Sequence, residues 1–397
     1  MSGSMMQSAA ILWHIALLVP ADRKGLALGL VGLVRIIPII GFSLISGVVA
    51  DALDRRKLML ITQTGMTLVA TVLAVITFRG LSVTWPIYLL AALSSAFGSF
   101  DGPARQSLVP NLVPREHLPN AISLNTIMFQ TASVLGPSLG GLIIASLGVG
   151  AVYAVNALSF LAVIAALLLM RDVPAHAPDE RREISLRAAL EGLRFVFSAP
   201  LIRSTMLLDF FATFFSSARA LLPIFAQDIL KVGAQGYGWL YAADSVGAVV
   251  ASVFMVRLSD RIDRRGWTVL WSVVGYGAAT VVFGLSRSFW LTFLCLALTG
   301  ATDTVGMVFR NIIRQLTTPD NLRGRMTSVN MIFFMGGPQL GEMEAGAVAN
   351  WFGAPFSVVS GGLGCLLVSA WVAARTPQLR NYRRDQPLLA PQGAAAD

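Results

Sequence analysis

Residues 47–57 read GVVADALDRRK and residues 257–266 read RLSDRIDRRG, so the pattern Asp-x-x-Asp-Arg-Arg occurs at 51–56 and again at 260–265. Both copies interrupt long apolar runs. A charged phrase repeated between apolar segments predicts two related halves, each with a basic turn at one face of a membrane.

The composition of the chain predicts an integral membrane protein built from helices. Hydrophobic residues make up 55% of its 397 residues, charged residues make up only 13%, and the mean hydropathy is +0.69. Apolar runs of about 20 residues recur, and strand-like alternation is absent. On the face that carries the two charged turns we place 23 of the 30 Lys and Arg residues. This bias predicts that the face is cytoplasmic and argues against nucleic acid as a partner.

The apolar runs predict twelve membrane spans in two six-helix bundles, 1–170 and 201–376, with both termini in the cytoplasm. The predicted spans are 5–19, 26–49, 58–78, 85–108, 120–147, 151–170, 201–226, 238–256, 268–285, 289–313, 326–350 and 352–374. Between the bundles, the linker 171–200 contains an amphipathic stretch at 183–197, typical of a surface helix. The tail 377–397 is expected to be a disordered cytoplasmic segment. Span 1 is short, which predicts an N-terminally truncated first helix; a naturally short helix is the alternative.

Residues 47–57 resemble the signature G-x-x-x-D-x-x-G-R-[KR] between helices 2 and 3 of the major facilitator superfamily, with Asp54 in place of the second glycine. The stretches 101–106 (DGPARQ), 112–118 (LVPREHL) and 337–342 (GPQLGE) are similar to a bacterial branch that includes siderophore exporters. The halves match further, since 114–125 aligns with 319–330 and GPSLGG at 136–141 aligns with GPQLGE at 337–342. The resemblance implies two pseudo-symmetric bundles around a central substrate site, in a monomer of the bacterial inner membrane.

The resemblance also implies a latch that closes the cytoplasmic side. In such a latch Asp51 meets both the positive N-terminal end of span 11 and an arginine of span 4, for which Arg105 is the candidate. Pseudo-symmetry predicts the same arrangement against span 5. The full set of predicted gating residues is Asp51, Arg55, Arg56, Arg105, Asp260, Arg264 and Arg310. Plain membrane anchoring by positive charge is the alternative, and it explains the arginines but not the paired acids.

The glycine-rich motif in span 5 resembles part of the antiporter signature of exporters. Its residues are Gly136, Pro137, Gly140 and Gly141. The proline removes a backbone hydrogen bond, and the glycines allow a neighbouring helix to approach closely. The motif therefore favours export, with a simple kink or packing site as the alternative.

Acidic residues inside the spans are candidates for proton coupling, because burying ionisable groups in a membrane is costly. Asp209 lies about eight residues into span 7, or ~12 Å from its start, near the midplane. A hydrogen bond that packs two helices is the alternative for Asp209. Asp303 and Asp101 are further candidates, but Arg310 and Arg105 follow them at helical spacing, which predicts internal ion pairs.

The resemblance places spans 1, 4, 7 and 10 around the substrate cavity, and Arg35 is a cation deep in a span. Candidates for contact with substrate are His14, Arg35, Phe97, Phe211 and Phe215. Asp244 occupies the position in the second half that Arg35 occupies in the first. Glu342 and Glu344 are expected at the periplasmic mouth.

These features predict a transporter that exports a small organic molecule, a siderophore or a drug-like compound, by alternating access. The proton gradient is the expected energy source, with no enzymatic activity, cofactor or metal site. Cys295 and Cys365 are expected to be buried thiols. An uptake symporter of the same fold and a transport-inactive membrane sensor or scaffold remain as alternatives.

Overall fold

The computed structural model describes residues 1–52, 54–170, 193–319 and 322–384, and this described part contains helices and no strands. Each half contributes six long helices. Those of the first half are α1 (Ser2–Leu18), α2 (Lys24–Ala52), α3 (Arg55–Phe78), α4 (Trp85–Leu112), α5 (Leu118–Leu147) and α6 (Val149–Leu169). Those of the second half are α7 (Pro200–Phe215), α8 (Gly233–Leu258), α9 (Arg265–Leu285), α10 (Phe289–Thr317), α11 (Arg323–Phe352) and α12 (Ala354–Arg375).

Within the described residues, nine helices are long and apolar enough to cross a membrane. The three long helices outside that set are α1, α4 and α11. Of these, α1 has 17 residues, whereas α4 and α11 have 28 and 30 residues but carry more polar groups. The chain is therefore a multi-pass membrane protein, and the full count of twelve spans stays a prediction.

The helix boundaries follow local sequence signals that recur in both halves. The carboxylate of Asp54 accepts hydrogen bonds from the backbone N–H groups of Arg56 (2.9 Å) and Lys57 (3.2 Å), so it caps the start of α3. Gly148 separates α5 from α6 with φ +83°, and Gly353 separates α11 from α12 with φ +89°. A positive φ is readily adopted only by glycine, so each residue ends one helix and lets the chain reverse.

The two halves pack their helices in the same pattern. In the first bundle α1 packs on α5 and α6, α2 packs on α4, α3 packs on α4 and α6, and α5 packs on α6. Adding six to each helix number gives the contacts of the second bundle. The contacts between the bundles follow the same pseudo-symmetry, which exchanges α2 with α8 and α11 with α5. In these contacts α2 packs on α11, and α8 packs on α5. The repeat seen in the sequence is thus a repeat of structure.

Successive helices run in opposite directions, which gives the molecule two ends. We call them the Lys24 end, where Lys24, Gly148 and Gly353 lie, and the Asp54 end, where Asp54 and Arg264 lie. A single apolar core at the Lys24 end joins buried residues of both bundles, including Leu12, Leu28, Leu221, Tyr237 and Phe283. Toward the Asp54 end each bundle has separate clusters of its own.

The start of the predicted disordered tail is ordered, and for 377–384 that prediction is wrong. Pro377–Arg380 is helical, and Leu379 and Tyr382 are buried against α9. The backbone N–H of Gly266 donates to the carbonyl of Tyr382 (3.1 Å), and that of Arg384 donates to Asp263 (2.9 Å). The two apolar side chains hold this segment on the second bundle, whereas 385–397 lie outside the described residues.

The predicted linker 171–200 also lies mostly outside the described residues. Its last part, from residue 193, is helical to residue 198. There Val196 is buried in a cluster with Ile202, Met206, Met326 and Val329. The end of the linker is therefore packed against α7 and α11, and the predicted amphipathic stretch 183–197 lies mostly outside the described residues.

Candidate functional site

The two bundles touch at the Lys24 end through glycines of α2 and α11. A Cβ added to Gly29 would lie 3.0 Å from the Cα of Gly346, and one added to Gly346 would lie 2.5 Å from the Cα of Gly29. Gly25 faces the backbone of Asn350, where an added Cβ would lie 2.7 Å from the amide nitrogen. The two helix backbones are thus in direct contact, the arrangement that small residues permit between membrane helices.

The symmetry-related crossing of α5 and α8 uses the glycine motif predicted in span 5. A Cβ added to Gly141 would lie 2.7 Å from the Cα of Gly238. The other glycines of the motif face α1 instead, since an added Cβ on Gly136 would lie 2.8 Å from the Cβ of Met5 and one on Gly140 would lie 3.4 Å from Met6. Pro137 lies inside α5, and its carbonyl oxygen faces Gly238. The motif therefore packs α5 closely against two helices at once, one in each bundle.

Polar contacts reinforce the closed Lys24 end. The ammonium of Lys24 in the first bundle lies 3.0 and 3.1 Å from the carboxylate oxygens of Asp228, which follows α7 in the second bundle. It also donates to Gln227 Oε1 (3.1 Å). The hydroxyl of Tyr237 in α8 donates to the carbonyl of Ala9 in α1 (2.8 Å). These contacts tie the bundles together, and sequence reasoning missed them because their partners lie some 200 residues apart.

Toward the Asp54 end, no buried cluster of described residues combines the two bundles across the same four helices. Their apolar side chains are exposed there, as in Ile37 of α2 (62%), Ile127 of α5 (61%), Val253 of α8 (63%) and Ile332 of α11 (52%). A Cβ added to Gly41 of α2 would have no described atom within 4 Å. The bundles therefore diverge from a closed Lys24 end toward an open Asp54 end.

Charged side chains also lie between these ends, with Asp244 inside α8 and Arg219 in the short turn that follows α7. Arg219 pairs with Asp244 (2.8 Å) and lies 5.4 Å from the ring centroid of Tyr241. The side chains of Arg219 and Asp244 are 46% and 32% exposed, although Asp244 lies ~17 Å from the start of α8. Exposure at that depth shows that accessible space reaches the helix interior. Arg35 is half-buried on α2.

The predicted coupling residue Asp209 lies in a buried ionic cluster of the second bundle. Its carboxylate is 2.8 Å from Arg310 and 3.9 Å from Arg314, both on α10. Arg310 also pairs with Asp303 (2.9 Å), as the sequence spacing predicted. Arg314 further binds Asn330 of α11. Two carboxylates thus neutralise two guanidinium groups, and Asp209 itself is 4% exposed.

The first bundle has a related but smaller cluster around Asp101. Its carboxylate pairs with Arg105 one turn away (2.6 Å), the second ion pair that the sequence spacing predicted. Gln63 Nε2 and Thr62 Oγ1, both on α3, donate to Asp101 at 2.7 and 3.2 Å. Arg105, a predicted gating residue, is therefore bound within its own bundle.

The remaining predicted gating residues are distributed around the Asp54 end. The side chain of Asp51 lies outside the described part of the chain. Arg56 donates to the carbonyls of Leu167 (2.7 Å) and Leu168 (3.0 Å) at the end of α6. Arg55 is half-buried, Asp260 and Arg264 are exposed, and Arg310 belongs to the Asp209 cluster. With the Asp54 end open, none of these described contacts joins the bundles, and the latch stays a prediction.

One predicted cavity residue, His14, belongs instead to the core of its bundle, which corrects the sequence interpretation, whereas Phe97 and Phe215 are half-buried and pack against neighbouring helices. His14 is 6% exposed, and its Nδ1 lies 3.3 Å from the hydroxyl of Tyr153 on α6. Phe97 packs on α3, where a Cβ added to Gly65 would collide with its ring. The Phe215 ring packs against Gly364 of α12.

Phe211 and Arg35, like Phe97 and Phe215, keep partly exposed surfaces. Phe211 is half-buried and stacks on Phe215, with ring centroids 6.2 Å apart. Arg35 lies ~17 Å from the start of α2. Among the described residues, no group of three or more His, Cys, Asp or Glu residues is placed to hold a metal ion.

Comparison with known proteins gives a consistent set of matches. The family model for transmembrane secretion effectors matches residues 1–388. The chain is 28% identical over 351 residues to the enterobactin exporter EntS of Escherichia coli O6:K15:H31, covering 88% of this chain and 83% of that protein.

Two solved structures share the fold over nearly the whole chain. One is a POT family transporter in complex with 5-aminolevulinic acid, with a TM-score of 0.74, 10% identity, and coverage of 95% of this chain and 94% of that one. The other is a bacterial homologue of the human lysosomal transporter Spinster in an inward-facing, unoccupied conformation. It has a TM-score of 0.71, 15% identity, and coverage of 96% and 97%.

Proposed function

Because the chain belongs to the transmembrane secretion effectors of the major facilitator superfamily, we propose that it exports a small organic molecule by proton-driven alternating access. One observation carries the proposal: two pseudo-symmetric bundles touch at the Lys24 end and diverge toward the Asp54 end. A structure closed at one end and open at the other is one of the two states that alternating access requires.

The Asp54 end is proposed to face the cytoplasm. It holds both Asp-x-x-Asp-Arg-Arg turns, and cytoplasmic segments of membrane proteins carry an excess of Lys and Arg. This orientation puts both termini in the cytoplasm, makes the structure an inward-facing state, and makes the Lys24 end the periplasmic gate of an inner-membrane protein.

Rocking of the bundles exchanges the two states. Opening the Lys24 end separates Gly29 from Gly346 and Gly141 from Gly238, and breaks the pair between Lys24 and Asp228. Closing the Asp54 end brings the Asp51 and Asp260 turns toward the N-terminal ends of α11 and α5, whose partial positive charge attracts the acids.

The coupling role first assigned to Asp209 is less well supported than a structural one. A carboxylate held by two guanidinium groups gains little from binding a proton, because protonation would leave a buried cation without its partner. The same holds for Asp101 and Asp303, each of which is paired with an arginine. Proton coupling therefore requires a carboxyl that has no such partner.

The substrate class is proposed to be a siderophore or a similar amphipathic compound, by analogy with the enterobactin exporter. Deleting the gene should lower the extracellular amount of the substrate and raise its cellular amount, measured by mass spectrometry during growth with limiting iron. Adding a protonophore to the parent strain should give the same change. Identical extracellular profiles in the parent and deletion strains would contradict export, and reduced cellular uptake in the deletion strain would indicate a symporter.

A further inference from the structure

The repeat is broken at the point where the bundles cross. In the first half, Gly141 of α5 meets Gly238 of α8. In the aligned motif of the second half, the last residue is Glu342, and it faces Gly32 of α2. A Cβ added to Gly32 would lie 2.9 Å from the Cβ of Glu342 and 3.3 Å from its Oε2. A carboxyl group thus occupies the place where symmetry calls for a glycine.

This carboxyl group is buried between the bundles and lacks a partner. Glu342 is 6% exposed, and its Oε2 has no hydrogen-bond partner among the described residues. Its position corrects the expectation of a residue at the periplasmic mouth. Glu344, two residues further along α11, is half-buried.

Several charged or titratable groups face Glu342 from the helices packed around it. Arg35 lies on α2, Arg219 lies after α7, and Tyr237 and Tyr241 lie on α8. Within the described part of the chain, none of them forms an ion pair or hydrogen bond with Glu342, and Arg219 is already paired with Asp244. An ionised Glu342 would therefore be a buried charge without a direct partner, which is unfavourable in a dry helix crossing.

Resting on the function proposed above, we propose that Glu342 is the proton-binding group that couples export to the proton gradient. Its neutral, protonated form fits the closed crossing of α2 and α11. Release of the proton toward the open Asp54 end leaves a charge in the crossing, so the bundles separate at the Lys24 end. A proton that binds Glu342 from the Lys24 side then lets the crossing close again. Each cycle moves one proton inward as one substrate molecule moves outward.

The test measures opening of the Lys24 end as a function of pH. Spin labels replace the exposed Arg79 and Arg287, one in each bundle at the Lys24 end, in a full-length protein that also carries C295S and C365S. Double electron–electron resonance then gives the distance distribution in nanodiscs between pH 5.5 and 8.5. We expect the short distance to predominate at low pH and the population with the longer distance to grow as the pH rises. The ratio of the two populations should change by up to about tenfold per pH unit, because one proton distinguishes the states.

The variants decide whether Glu342 is the group responsible. E342Q keeps the size of the side chain and cannot ionise, so it should hold the short distance across the whole pH range. E344Q is the matched control on the same helix and should respond to pH like the parent. A parent protein whose distances do not change with pH, or an E342Q variant that responds as the parent does, would overturn the proposal.

These outcomes are separate from failure of the proposed function, since they require no substrate. A pH response that depends on Glu342, in a protein whose deletion leaves the extracellular metabolites unchanged, would support the proton site and refute export.

Discussion

Replacing Gly29 with alanine should open the Lys24 end, because the added methyl group falls between two helix backbones. A Cβ at residue 29 would lie 3.0 Å from the Cα of Gly346 and 3.1 Å from the carbonyl oxygens of Glu342 and Met343. Ordinary contacts of this kind begin near 3.4 Å, so α2 and α11 must separate by several tenths of an ångström. Overpacking of this size destabilises the closed state by about 1–3 kcal/mol, whereas the state with an open Lys24 end lacks the crowded contact.

That cost corresponds to a shift of about 5- to 150-fold in the ratio of the open to the closed state. The assay is labelling of A349C, a buried position on α11 at the Lys24 end, by a membrane-impermeant thiol reagent in the background without native cysteines. The cysteine of A349C should be labelled faster in G29A than in the parent, by a factor in this range, as long as the closed state still predominates. The control is G41A, the same change on the same helix at a position with no described atom within 4 Å of the added Cβ.

Equal labelling rates in G29A and the parent would refute the close crossing of α2 and α11. Faster labelling in both G29A and G41A would also refute it, because helix propensity or general loosening would then explain the effect.

Two further substitutions test the contacts that hold this state together. D209N should lower the stability of the protein by about 3 kcal/mol, since it removes a buried partner of Arg310 while Asp303 remains; a reduced thermal midpoint in detergent is the expected result. An unchanged midpoint together with loss of proton-driven efflux would instead restore Asp209 as the coupling residue. K24A should raise the open-to-closed ratio at the Lys24 end only about two- to fivefold, because the partner of Lys24, Asp228, is 45% exposed. The same A349C labelling measures this ratio. A shift as large as that of G29A would contradict the expectation that the ion pair contributes less than the glycine crossing.

The architecture of the two halves could be predicted because each of its signals is local or periodic. Apolar runs interrupted by charge gave the positions of the helices, and the repeated Asp-x-x-Asp-Arg-Arg phrase indicated that the second half copies the first. The pairs Asp101–Arg105 and Asp303–Arg310 were also foreseen, because both lie within one helix, where spacing determines proximity.

The contacts between the halves could not be predicted in this way. Gly25 and Gly29 look like ordinary small residues of a membrane helix until Gly346 is seen opposite them, and the same holds for Gly32 opposite Glu342. The pair of Lys24 with Asp228 depends on how the two bundles are docked, which no single helix encodes. His14 was misassigned for a similar reason, since only the packing of α1 on α6 shows that it faces Tyr153.

The substitution of Asp54 for a glycine of the superfamily signature has a local explanation. As a residue that caps α3 through its side chain, Asp54 fixes the turn that a glycine would leave flexible. This role does not require contact with the other bundle.

The central claim is that the two ends open and close in alternation. Distances across both ends of one reconstituted protein test it most directly, with spin labels replacing Arg79 and Arg287 at the Lys24 end, or the exposed Lys57 and Arg264 at the Asp54 end. Conditions or variants that lengthen the distance at the Lys24 end, G29A among them, are predicted to shorten the distance at the Asp54 end. Distances that lengthen at both ends together, or an Asp54 end that stays open in every condition, would contradict the account.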